Sequence, residues 1–181
     1  MEIKNIAVAE FCLLSEDEKA LWNIYFQSNE FRTPFDHLGI GDIYEKTFGL
    51  IKDTQQKDTE YTVSDMVITL EKFSGKIKEH IFESVGIFEA YRTFEYIKQE
   101  LIKLTENERE LLSEQPDGKM LASGISEFEQ FGVYLQYRKL SGGDVTKLAA
   151  IEKMDYATCF AELLYQKVLN DFNMRYAKNA K

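Results

Sequence analysis

The sequence predicts an all-α protein, and three observations carry that reading. Only two prolines occur in 181 residues, and proline is the residue that most often breaks helices or marks loops and edge strands. Glu, Lys, Leu and Ala, which lose little freedom in a helix, are frequent. Long segments repeat apolar residues three and four positions apart, the period of one helix face. Together these predict an irregular bundle of about six to seven amphipathic helices, with a long helix near residues 76–104 and a long C-terminal helix over 155–177.

The elements follow in order. Ser15 stands three residues before Glu18 in "LLSEDEKALWNIYF", the spacing at which each side chain satisfies the other's free backbone N–H at a helix start. A helix over 16–28 follows, with Leu21, Trp22, Tyr25 and Phe26 as its apolar face. Thr33-Pro34 marks a loop or helix start, and Asp42 is placed to lead a helix after Gly39 and Gly41. The polar run "KDTQQKDTEYT" at 52–62 reads as a loop. Ser64 or Asp65 caps the next helix and Gly75 separates it from the long one, where Ile87, Tyr91, Phe94, Ile97, Leu101 and Leu104 share a face. Thr105 and Glu108 form a second capping box that predicts a bend or restart, and "QPDG" at 115–118 ends the helix.

Beyond that turn, Leu121, Ile125, Phe128, Gly132 and Leu135 make one helical stripe. "SGGD" at 141–144 then forms a corner, "VTKLAAIEKM" a short helix, and Asp155 starts the last one. On the last helix Tyr156, Phe160, Leu164, Val168, Phe172 and Tyr176 recur every fourth residue, which predicts a packing face.

A chain of this length buries roughly two thirds of its unfolded surface and needs no staple. Its 44% hydrophobic and 13% aromatic residues exclude a disordered chain. The net charge of −9 is uneven: residues 1–114 carry 13 Lys+Arg against 23 Asp+Glu, and residues 115–181 carry 9 against 8. We therefore distinguish an acidic helical region, 1–114, from a near-neutral, hairpin-like one, 115–181, within one compact domain. An acidic chain without a basic stripe is poorly suited to nucleic acid, whose phosphates must be neutralised. No apolar run approaches the length of a membrane span and the start carries no signal-peptide pattern, so a cytoplasmic protein is expected. Cys12 and Cys159 belong to no CxxC pair and read as small buried hydrophobes in a reducing compartment.

Catalytic signatures are lacking. "LSGGDVTKL" has glycines before a helix and a lysine after them, but not the GxxxxGK[ST] spacing, nor a strand leading in. A helix stop at Gly142 or Gly143 and a cap at Asp144 explain it better. His37 and His80 are the two histidines; His80 with Glu83 is a lone i, i+3 pair without HExxH. We expect no enzyme, cofactor or metal.

Twenty-four aromatic residues exceed what a helical core of this size needs, and exposed Tyr and Phe favour protein interfaces. The segment 125–178, with "YRKLSGGDVTKLAAIEKMDYATCFAEL" ahead of a long amphipathic helix, resembles small helical proteins of the bacteriophage tail assembly chaperone group. The likeness covers under a third of the chain and rests on the GGD corner, the short helix and the capped long one. It implies a non-enzymatic protein that binds a tape measure or other phage structural protein and keeps it soluble in the host cytoplasm. The expected partner-binding residues are Tyr91, Phe94, Tyr134, Tyr156, Phe160, Leu164, Phe172 and Tyr176. The partner is another protein, not nucleic acid or membrane, and homo-oligomerisation stays open. Two alternatives remain: an acidic inhibitor or adaptor that mimics nucleic acid, and an enzyme with a helical carboxylate site gathered around His80 or His37.

Overall fold

A computed structural model describes residues 5–27, 34–55, 61–113 and 118–179. Thr33, positions 56–60 of the polar run, the turn at 115–117 and the side chain of Tyr25 lie outside the described residues. The described residues are all-α, as the sequence predicts, and their only β pairing is two isolated bridges, Ala7 with Gly86 and Thr47 with Asp155. The α-helices are α1 (Val8–Cys12), α2 (Glu16–Phe26), α3 (Phe48–Gln55), α4 (Val63–Ser74), α5 (Lys78–Ser84), α6 (Ile87–Leu112), α7 (Gly118–Ala122), α8 (Tyr134–Leu140), α9 (Leu148–Ile151) and α10 (Tyr156–Asn179). Short 3₁₀ turns occupy Ile43–Glu45, Ile125–Phe131 and Val145–Lys147.

The chain packs into two compact units that interleave along the sequence. The first comprises Met1–Ile43 and Gln56–Ile102, the second Tyr44–Gln55 and Lys103–Lys181. This division departs from the charge boundary at residue 114, because α3 and the end of α6 pack with the C-terminal segment. The charge asymmetry nonetheless survives: the first unit carries 9 Lys+Arg against 17 Asp+Glu, the second 13 against 14.

In the first unit, α1 and α4 pack on α5. Phe11, Trp22 and Phe26 meet with ring centroids 5.8 to 5.9 Å apart, and Phe26 stacks on Tyr91 at 4.4 Å. From α4, Met66, Val67, Leu70 and Phe73 are buried; from α6, Ile87, Ala90, Phe94, Ile97 and Leu101. Each of these side chains except Ala90 contributes about 1.5–3 kcal/mol by leaving water.

The helix expected over 76–104 is instead two helices. Val85 is extended, its carbonyl accepts from the Val8 N–H at 3.2 Å, and the Ile87 N–H donates to the Ile6 carbonyl at 2.7 Å. A Cβ at Gly86 would come within 2.3 Å of the Asn5 side chain, so this crossing admits glycine alone without a shift. The long-range pairing outweighs local helix propensity, which is why the break escapes a sequence reading. Conversely, no restart occurs at Thr105: α6 runs unbroken to Leu112. Thr105 Oγ1 accepts from Gln55 Nε2 at 3.0 Å, and Glu108 is drawn to Lys52 and Tyr156 rather than to a cap.

Two smaller departures have the same character. The polar run begins inside α3, where Lys52 and Thr54 are buried, and the cap of α4 is Thr62, reciprocally bonded to Asp65, rather than Ser64 or Asp65.

Candidate functional site

The second unit holds an open apolar groove, and its sequence explains why. The stripe expected as one helix over 121–135 is split by Gly124 and Gly132, both at positive φ (79° and 45°), into α7, a 3₁₀ turn and α8. No residue of these three elements is fully buried. Leu121, Phe128, Phe131 and Tyr134 are exposed, Leu121 and Phe128 by more than half. Leu112, Met120, Leu121, Ile125, Phe128 and Leu135 line a groove of about 730 Å³, with Arg138, Lys139 and Glu129 also on its wall. Arg138 donates to the Gly143 carbonyl, which holds the guanidinium against the corner. A neighbouring hollow of about 240 Å³ is lined by Leu135, Gln136, Leu163 and Lys167 among others, and the buried Gln136 Oε1 accepts no hydrogen bond there. Contiguous exposed apolar surface of this kind marks a binding face more often than a solvent face.

The second unit also holds a buried polar cluster. Lys52 Nζ stands 2.5 Å from one carboxylate oxygen of Glu108, and the Tyr156 hydroxyl donates to the other at 2.5 Å. The ammonium also faces the rings of Phe48 and Tyr156 at 5.4 and 5.7 Å. Burial holds the Lys52 ammonium below the usual lysine range, against the pull of Glu108. Burial first, and the bond to Glu108 second, push the Tyr156 phenol well up. Burial likewise raises Tyr137 to about 12, helped by Glu152, and the Cys159 thiol to about 11, helped by Asp155. A lysine and a carboxylate that neutralise one another inside a helical unit form a structural tie between α3 and α6.

The last helix presents two apolar faces. Tyr156, Cys159 and Leu163 are buried on one. Tyr165, Val168, Leu169, Phe172 and Tyr176 are exposed by 44% to 67% on the other. The expected single packing face is thereby corrected. Steps of four residues overshoot the 3.6-residue turn by about 40° each, so a series that starts in the core at Tyr156 ends on the opposite side at Tyr176.

The predicted partner-binding residues separate accordingly. Tyr134, Phe172 and Tyr176 are exposed and available to a partner. Phe160 and Leu164 are half-buried. Phe94 and Tyr156 are buried, 4% and 1% exposed, so their rings serve the cores of the two units instead of a partner. Tyr91 is half-buried against Phe26. Tyr165 and Leu169 are exposed beside them, and the spacing 165, 169, 172, 176 carries the alternation of four and three that one straight face requires.

The remaining candidates resolve simply. Gly142 and Gly143 have φ of 61° and 85°, and Asp144 Oδ1 accepts from the Thr146 N–H at 2.9 Å, so the corner is a helix stop followed by a cap. His37 packs on Phe35 at 4.5 Å and His80 is exposed. Among the described residues no three His, Cys, Asp or Glu side chains gather closely enough to hold a metal ion. No helix among them is long and apolar enough to cross a membrane. Cys159 is buried as expected, whereas Cys12 is half-exposed.

Comparison of the chain with protein-family models, with curated proteins and with solved structures gives no match.

Proposed function

We propose that the chain is a non-enzymatic protein-binding protein whose second unit holds an apolar helical segment of a client. The observation that carries this reading is the groove between α7, the 3₁₀ turn and α8, with Leu121 and Phe128 exposed by 57% and 53% along it. A groove with apolar walls accepts the apolar face of an amphipathic helix, anchored at residues three and four apart. Exposed Phe131 and Tyr134 extend the same surface, and aromatic side chains are favoured anchors in such contacts. The strongly acidic first unit keeps a complex with an apolar client in solution through its net charge.

In its sharpest form the client is a phage tape measure protein and the chain a tail assembly chaperone. What supports this is the resemblance of residues 125–178, which contain the 3₁₀ turn, α8 and the corner that shape the groove. Co-expression with a phage tape measure protein tests it. Co-purification and a gain in client solubility are expected, and both are lost in Leu121→Asp and Phe128→Asp. A client that stays insoluble and does not co-purify would sink the tail-assembly form. Retained binding in both variants would sink the groove as the binding face.

A further inference from the structure

The outward face of α10 is separate from the groove and calls for its own occupant. Tyr165, Leu169, Phe172 and Tyr176 follow spacings of four, three and four, which bring them into one straight row, the seam of a coiled coil. Val168 flanks the row, and the Phe172 and Tyr176 rings stack with centroids 6.1 Å apart. On the far side of the same helix Tyr156, Cys159 and Leu163 are already committed to the unit's own core. The row is thus surplus to folding.

We propose that this row is the seam of an antiparallel pairing with α10 of a second copy of the chain. Shape comes first, because a row with coiled-coil spacing is complementary to itself through a two-fold axis. Area agrees. Three aromatic side chains of about 150–250 Å² each, more than half exposed, with Val168 and Leu169, offer roughly 500 Å² per copy. Two copies bury about 1,000 Å², the threshold for a specific interface.

Charge fixes the direction. Glu162 lies one turn before Tyr165 in the same row. A parallel pair would set two Glu162 carboxylates opposite each other in the seam, where like charges repel. In the antiparallel pair, Tyr165 meets Tyr176 of the second copy, Leu169 meets Phe172, and Glu162 falls opposite Asn179. The helix dipoles also oppose one another favourably. Arg175 is the charged residue beside the row between Tyr165 and Tyr176, and it comes opposite Val168 of the other copy, so no like charges meet.

This inference does not rest on the client reading. Sedimentation of the full chain should give twice its 21.1 kDa; a monomer throughout, up to roughly 100 μM, the weak side of the range for protein interfaces, would overturn it. Phe172 is 55% exposed, so Phe172→Glu should fold, with an unchanged circular dichroism spectrum, yet self-associate at least about 30-fold more weakly. Self-association equal to the parent's would refute the seam. Direction is read in a Cys12→Ser background by oxidising a mixture of Tyr165→Cys and Tyr176→Cys chains. Mixed 165-to-176 disulfides are expected, since like residues lie about 16 Å apart along the antiparallel pair. A product made of like pairs alone would overturn the antiparallel arrangement. Phe172→Glu should still co-purify any client held in the groove, which keeps the two readings distinguishable.

Discussion

Glu108 is the residue on which the second unit turns, since its carboxylate satisfies both the Lys52 ammonium and the Tyr156 hydroxyl. Removing one member of a buried pair strands the other charge and costs about 3–5 kcal/mol, whereas replacing both with apolar groups is often neutral. Urea denaturation should therefore show a loss of about that size in Glu108→Leu, and recovery of most of it in Lys52→Met/Glu108→Leu/Tyr156→Phe, which leaves no buried polar group of the three without its partner. Cys159 supplies a pH dependence. Its folded pKa, about 11, exceeds the ordinary 9.0, so the unfolded chain sheds the thiol proton first and stability falls as pH rises from 9 towards 11. Tyr137, raised from 10.0 to about 12, continues the fall. Lys52, held below its ordinary value, acts in the opposite sense, so the reading is the difference between parent and Cys159→Ala. It should be constant from pH 7 to 8, and above 9 the parent's urea midpoint should fall relative to the variant's. Neither group was legible in this role. Lys52 lies in a polar run that reads as loop, and its partner is 56 residues away, a separation no local pattern spans.

At the scale of elements, what the sequence conveys depends on whether a signal is local. The Ser15 and Glu18 box forms as read, with the Ser15 N–H donating to Glu18 at 2.9 Å, because both partners sit within one turn. The Thr105 and Glu108 box has the same spelling and does not form, because long-range partners claim both side chains. Likewise α5 and α6 part at Gly86 owing to residues near Asn5, some 80 positions earlier in the chain, as the Phe88 N–H to Asn5 bond illustrates with a separation of 83. The corner at 141–144 was legible in full, as positive φ and a cap are spelled by the residues themselves. Gly143→Ala should cost about 1 kcal/mol through its φ of 85°, and Asp144→Ala about as much through the lost cap. In a chain of this size each should lower the melting temperature by roughly 2–4 °C, measurable by calorimetry. The candidate surface was half legible: its apolar residues were visible in sequence, but Gly124 and Gly132 decided that they would form a groove instead of a continuous buried stripe.

For the molecule as a whole, the opposition between charge and apolar surface sets the conditions of assembly. Each copy carries −9, nearly all of it in the first unit, so two copies repel at long range while the α10 rows attract at contact. Added salt screens the repulsion within about 10 Å at 0.1 M and leaves the apolar contact intact. Sedimentation should accordingly show tighter self-association at higher salt, the reverse of an interface held by ion pairs. The drift of the four-residue series along α10 has a further consequence. The number of residues between Leu163 and Tyr165 works as a phase setting, fixing the angle between what the helix anchors inward and what it offers outward. A single alanine inserted there would turn everything beyond it by about 100°, re-aiming the outward row while Tyr156, Cys159 and Leu163 stay inward. An insertion of four would turn it by only about 40°. Length in this helix would thus control the orientation of paired copies, adjustable without replacing any residue of the row.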